Sequence, residues 1–168
     1  MKGFKKYFFL FLGVVVVFFL FLIWYQYRYA MDVVEPYEIN SPNLKKKLVI
    51  ATQGSSFKDK VTSGIVNHYT SNSIYIKVID ITTLNDIEPK DFDALVIIHT
   101  WENWKPPAVV KVFMDRNKNI QDRIVVVTTS GKGSYKMKDV DAIVGASVQE
   151  DVPKKVMQII SRLESILN

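Results

Sequence analysis

The hydrophobic pattern divides the chain into two regimes. Residues 7–25 contain no charged side chain, only Phe, Leu, Val, Ile, Gly, Trp and Tyr. A run of roughly 19 such positions is enough to cross a bilayer core as a helix. After residue 46 the apolar positions fall into short blocks. Residues 47–52 read as a strand. In residues 58–69, Val61, Ile65, Val66 and Tyr69 recur at helical spacing. Residues 74–79 alternate, with Ile74, Ile76 and Val78 on one face, whereas 94–99 and 123–128 are continuous apolar runs of the kind covered on both sides. Pro106 and Pro107, followed by Val109, Val110, Phe113 and Met114, predict a helix with proline in its first turn. A last strand is expected at 140–145, and 152–167 closes the chain as a helix with Val156, Ile159, Ile160, Leu163 and Leu167 along one stripe.

Apolar strands alternating with helical segments predict an α/β fold with a doubly wound parallel sheet of five strands. Such sheets bind ligands outside the carboxyl ends of their strands, which nominates the loops at 52–57, 99–105 and 128–135. The connection between the fourth and fifth strands is short, about ten residues, where a parallel crossover usually takes a dozen or more and a helix. Either the fourth helix is reduced to a turn or the last strand runs antiparallel.

The expected organisation is a cytoplasmic tail at 1–6, a transmembrane helix at 7–27, a linker at 28–46 and a globular domain at 47–168. Trp24, Tyr25, Tyr27 and Tyr29 suit an interfacial aromatic belt beside a snorkelling Arg28. A cleaved signal peptide is the rival reading. The bulky residues after the span offer no small-x-small cleavage site, which favours a retained signal-anchor. Lys2, Lys5 and Lys6 precede the span, and only Arg28 follows before Asp32 and Glu35. The positive-inside rule therefore places the chain in the cell membrane as a single-pass protein, N-terminus cytoplasmic and domain extracytoplasmic. The lipid bilayer is its first expected partner.

Charge changes this picture little. The formal net charge is +5, but Lys2, Lys5, Lys6 and Arg28 flank the span and leave 18 basic against 17 acidic residues elsewhere. A nearly neutral domain carries no electrostatic footprint for nucleic acid. With no cysteine there is no disulfide framework, thiolate metal site or cysteine nucleophile. Asp59, Asp80, Asp91 and Asp93 show no spacing suited to a metal cage, and no Ser/His/Asp set assembles from the pattern.

The most suggestive stretch is ATQGSSFKDKV, where a strand passes through a hydroxyl- and glycine-bearing loop into a helix. Loop amides and a helix N-terminus then point at one spot, the usual construction of an anion site. Together with DFDALVIIHTW, TWENWKPPAVVKVFMD and TTSGKGSY, this stretch resembles the flavodoxin-like family. The resemblance implies strand order 2-1-3-4-5 and FMN held by three loops: the phosphate by Thr52, Gln53, Gly54, Ser55 and Ser56, the ring by Thr100, Trp101, Ser130 and Gly131. Relative to the family's loop S/T-x-T-G-x-T, Gly54 stands in place of a threonine, Ser55 of the glycine and Phe57 of the last threonine. Separately, residues 141–147 are similar to the D-x-x-S/T-G-A-S/T signature at which some extracytoplasmic redox proteins esterify FMN. Val144 replaces the signature's Ser/Thr, and Ser147 would be the acceptor.

Other residues have both bland and functional readings. Trp101 and Trp104 either flank a flavin or cover the sheet edge. His99 either contacts a ligand or is structural, and His68 suits a helix C-terminus. Lys45, Lys46 and Lys47 either touch anionic headgroups or open a strand in solvent. Two functions stay open: FMN binding with electron transfer to a membrane redox partner, or a cofactor-free scaffold module with Trp101, Trp104 and Tyr135 as anchors.

Overall fold

The computed structural model describes residues 2–29 and 31–167. The chain forms two units, one ending at Met31 and one beginning at Asp32. The first is helix α1, Lys2–Tyr29, in which Phe4–Tyr25 has a mean hydropathy of 2.8 and is long and apolar enough to cross a membrane. The helix continues through residues expected as tail and linker, because nothing between Lys2 and Tyr29 breaks it: there is no proline, and Gly13 is the lone interior glycine of the span. The side chains of Arg28 and Tyr29, expected at the interface, lie outside the described residues.

The second unit is one six-stranded sheet in the order β1-β3-β2-β4-β5-β6. Its strands are β1 (Tyr37–Ile39), β2 (Lys46–Thr52), β3 (Ile74–Asp80), β4 (Ala94–Thr100), β5 (Ile124–Thr129) and β6 (Ala142–Gly145). All pairings among β2 to β6 are parallel, including β5 with β6, so the short crossover is a helix-free parallel connection and not a reversal. Within this parallel set the order is 2-1-3-4-5. Helices α2 (Ser56–Tyr69) and α4 (Val152–Leu167) cover one face, over a core that includes Leu48, Ile50, Val61, Ile65, Val96 and Ile159. Helix α3 (Ala108–Arg116) and the 3-10 turn Ile81–Asp86 cover the other, over Val49, Ala51, Leu95, Ile97, Val110 and Phe113. Burial on both faces explains the continuous apolar runs. It also revises β3: Tyr75 and Ile79, on the face opposite Ile74, Ile76 and Val78, are buried as well.

Of the segment expected as a linker, 28–46, the part from Asp32 on belongs to the folded unit and is not a free tether. Tyr37–Ile39 adds an antiparallel edge strand to β3, the Val34 amide donates to Asp80 Oδ2 at 2.8 Å, and Asn40 turns the chain with φ 66° while its Nδ2 donates to the Ile74 carbonyl at 2.8 Å. A three-residue strand held mainly through backbone groups needs no side-chain period, so none was visible. The prolines also precede α3 instead of entering it. Pro107 keeps ψ at 138° as the cap, and its carbonyl accepts from Lys111 N at 3.1 Å.

Candidate functional site

The loops at the carboxyl ends of β2, β4 and β5 come together, but they use their polar groups largely on one another. After β2, Thr52 is buried and its hydroxyl donates to the Gln53 carbonyl at 3.1 Å. The Gln53 side chain ties this loop to the next: its Oε1 accepts from Thr100 N at 2.7 Å, and its Nε2 donates to Glu102 Oε1 at 3.1 Å. Gly54 exchanges two backbone hydrogen bonds with Asp32, donating to the Asp32 carbonyl at 2.8 Å and accepting from Asp32 N at 3.2 Å. The contact is so close that a Cβ on Gly54 would lie 2.5 Å from the Asp32 oxygen. Ser55 is the N-cap of α2, accepting from Lys58 N at 3.4 Å and from Lys58 Nζ at 3.3 Å. Ser56 is exposed and its Oγ accepts from Gln149 Nε2 at 3.4 Å.

The loops after β4 and β5 build a different environment. Thr100 Oγ1 and Thr129 Oγ1 lie 2.8 Å apart, and Trp101 N donates to the Thr129 carbonyl at 2.8 Å, so the two strand ends are clamped together. The Trp101 ring stacks on Tyr135, with centroids 5.3 Å apart and planes at 26°. Trp101, Trp104, Ser130, Gly131 and Tyr135 contribute to a crevice of about 290 Å³. Ser130 Oγ and Trp101 Nε1 are buried without a hydrogen-bond partner among the described residues. Next to this crevice, Glu102 and Lys105 exchange backbone hydrogen bonds of 3.0 Å around Asn103 (φ 49°) and Trp104 (φ 59°). A bulky residue in the left-handed region is uncommon, and here it displays Trp104 with 77% of its surface exposed.

Beneath the loops lie two buried basic side chains. Lys58 is fully buried, and burial pushes its pKa down to about 8, against the pull of Glu102 and Asp59. His99 is also fully buried, with Nε2 3.0 Å from Thr128 Oγ1. Burial lowers its pKa to about 4; the backbone at Thr100 opposes the shift and the Lys58 charge adds to it. His99 is thus a neutral, interior residue, in line with its structural reading. His68 faces Glu164 at 3.9 Å, and the Lys46 ammonium binds the Leu167 carbonyl at the end of α4, a structural use of one of the three strand-entry lysines.

Of the nine residues expected to hold FMN, Trp101, Ser130 and Gly131 share the crevice, while Thr52, Gly54, Ser55 and Ser56 are spent on internal contacts and Gln53 and Thr100 fasten loops and strands. The phosphate half of an FMN site is therefore curtailed at Gly54, whose amide is already paired, whereas the ring half offers aromatic faces and two unspent buried polar atoms. Ser147, the residue considered for esterification, is exposed just beyond β6. The residues that sequence reasoning missed are Asp32, Glu102 and Lys58. Lys58 carried a signal, since it lies three positions before Val61 and seven before Ile65, on the buried stripe of α2. Asp32 and Glu102 carried none.

No protein-family model matches this chain, and no curated protein does. Among solved structures it is similar to a flavodoxin from the domain Archaea, at 14% identity over 73% of this chain and 99% of that one, with a TM-score of 0.48. It is similar to oxidised Flavodoxin 2 from Bacillus cereus at 16% identity, 71% and 99% coverage and a TM-score of 0.47. For general stress protein 14 from Treponema denticola, solved in complex with FMN, the values are 12%, 72%, 99% and 0.44. Likeness of this degree leaves the fold to be read from the sheet itself. Five parallel strands in the order 2-1-3-4-5, covered by helices on both faces, with three loops gathered at their carboxyl ends, give residues 32–167 a flavodoxin-like fold.

Proposed function

We propose that this chain is a flavodoxin-like interaction module anchored in the cell membrane by α1 and working without FMN. The observation that carries this reading is the Gly54 amide. In a phosphate loop this N–H points at the ligand, and here it is satisfied by the chain's own Asp32 carbonyl. A buried amide already paired in this way gains nothing from a phosphate. The exposed Trp104 at a strained hairpin tip is the natural anchor for a protein partner. The topology that accompanies this reading puts the N-terminus in the cytoplasm and the domain outside. External protease on intact cells is expected to cleave the domain, and full shielding overturns that orientation.

A second reading, FMN binding with electron transfer at the membrane surface, is favoured by the crevice at Trp101 and Tyr135 and by the unspent Ser130 Oγ and Trp101 Nε1. The flavin would supply the redox chemistry, and this chain would stack on the ring and hydrogen-bond its edge. To insert between the two rings, a flavin needs them about 7 Å apart, two contacts of about 3.5 Å. Trp101 and Tyr135 would have to separate from their present stack.

Titration of the full chain in detergent micelles with FMN and with riboflavin, followed by flavin fluorescence, tests both readings. The first predicts no saturable quenching at micromolar flavin beyond that in empty micelles. Saturable quenching overturns it in favour of the second. In that case riboflavin is expected to bind nearly as well as FMN, because the Gly54 amide is withheld from the phosphate.

A further inference from the structure

The chain crosses from the end of β5 to the start of β6 through residues 130–141 with turns alone, where a parallel connection ordinarily carries a helix. The crossover lies on the α3 side of the sheet, where Val140 is buried and Met137 packs partly buried against the same core. The space beside α3 that a crossover helix would fill is left as a groove of about 990 Å³. One wall is α3 and its flanking turns, from Lys105 and Pro106 past Met114 to Gln121. The other is the crossover itself, from Lys136 to Val140.

The groove's chemistry is lopsided. Its apolar surface comes from Trp101, Pro106, Ala108, Met114, Met137 and Val140. Its rim carries five lysines, at 105, 111, 118, 136 and 138, against two aspartates, 115 and 139, a net of +3. Asp115 is already shared between Lys111 at 2.8 Å and Lys118 at 3.8 Å. Among the described residues Lys105, Lys136 and Lys138 have no ion-pair partner. Apolar inside and basic at both edges is the complement of a helix with an apolar stripe flanked by Asp and Glu.

We propose that this groove receives an acidic amphipathic helix from a partner protein, seated alongside α3 in the place of the missing crossover helix. Shape supports a helix over a flat bilayer, because a trough between two walls takes a convex rod. Length agrees too: the nine residues of α3 run about 14 Å, enough to pack two to three turns of a neighbour. The proposal rests on the reading of the chain as an interaction module; its groove shares Trp101 with the aromatic crevice but is tested at Lys136 and Lys138, which do not line the crevice, so its failure and a positive flavin titration are separate results.

The test is a selection on the full chain in phosphatidylcholine nanodiscs. The probe is a displayed library of 16-residue helical peptides with a fixed apolar stripe and all other positions drawn from Glu, Lys, Gln and Ser. Glu is expected to be enriched beside the stripe. A selected peptide is expected to bind saturably, to weaken as salt rises, and to bind at least tenfold more weakly to the double variant Lys136→Glu, Lys138→Glu. Both lysines are exposed, so the variant keeps its fold, which circular dichroism checks. No enrichment, enrichment of Lys, or binding that the double variant leaves unchanged overturns the proposal. So does protection of Lys136 and Lys138 from acetylation only in phosphatidylglycerol nanodiscs without peptide enrichment, which assigns the groove to an anionic membrane.

Discussion

Between pH 6.5 and pH 4 the domain is expected to lose about 3 kcal/mol of stability through His99 alone. In the unfolded chain His99 titrates at its ordinary 6.5, but in the folded chain burial holds it near 4. A folded pKa below the unfolded one means that protons favour the unfolded state. The contribution is fully present above pH 6.5 and is lost as pH falls through 4. Asp80 adds a loss of the same sign at lower pH: burial raises its pKa, but hydrogen bonds from Thr82 and Val34 outweigh that and hold it below the ordinary 3.8. Lys58 acts at the alkaline end. Its pKa of about 8, against 10.5 unfolded, means that burial of its charge is a cost below pH 8 that disappears as pH rises to 10.5, again about 3 kcal/mol. Denaturant titrations of the full chain in micelles should show stability climbing in two windows, 4 to 6.5 and 8 to about 10, above which Tyr69 and Tyr75, both pushed up to about 12 by burial, act in the opposite direction. His99→Gln should flatten the lower one and Lys58→Met the upper one. A flat profile from pH 4 to 7 in the unaltered chain would falsify the buried, neutral state of His99.

Gly54→Ala should destabilise the domain by about 1–3 kcal/mol, the range for forcing atoms into a packed site. The added Cβ meets Asp32 at its carbonyl oxygen, 2.5 Å away, and at its carbonyl carbon and Cβ, both at 2.8 Å. Two of these are backbone atoms, so no side-chain rotation relieves the contact. Either the loop after β2 distorts or residues 32–34 lift off, with loss of both Asp32–Gly54 hydrogen bonds. Hydrogen exchange should report faster exchange at the amides of Asp32, Val34 and Gly54, and proteases should gain access to the segment before β1. Alanine at Gly131, where nothing lies within 4 Å of the new Cβ, is the matched control and should leave stability unchanged. Equal stability of the two variants would mean that Asp32 does not hold the loop in solution. Freeing Gly54 also bears on ligand binding, since it exposes the donor an FMN phosphate would need.

The patterns legible in the sequence are those set by neighbours within a turn or two. The α4 stripe from Val156 to Leu167 produced the helix at the expected bounds, Val152–Leu167, because an amphipathic period is a local property. The apolar runs in β4 and β5 marked strands buried on both faces, and 7–25 marked a segment long and apolar enough to cross a membrane. Strand alternation with helices implied the parallel sheet, and the rule for its carboxyl ends located the loops that do come together.

What the tertiary structure alone decided depends on residues far apart in the chain. Val34 meets Asp80 across 46 positions, Gln53 meets Thr100 across 47, and Ser56 meets Gln149 across 93. No local pattern records such pairs: two join a side-chain oxygen to a backbone amide of the kind nearly every residue carries, and the third joins two polar side chains that only the fold brings together. The stretch ATQGSSFKDKV therefore kept its strand-loop-helix grammar while its Gly54 amide was taken by a segment that looked like linker. Whether a polar loop is a site or a joint is decided by which groups reach it first, and here Asp32 does.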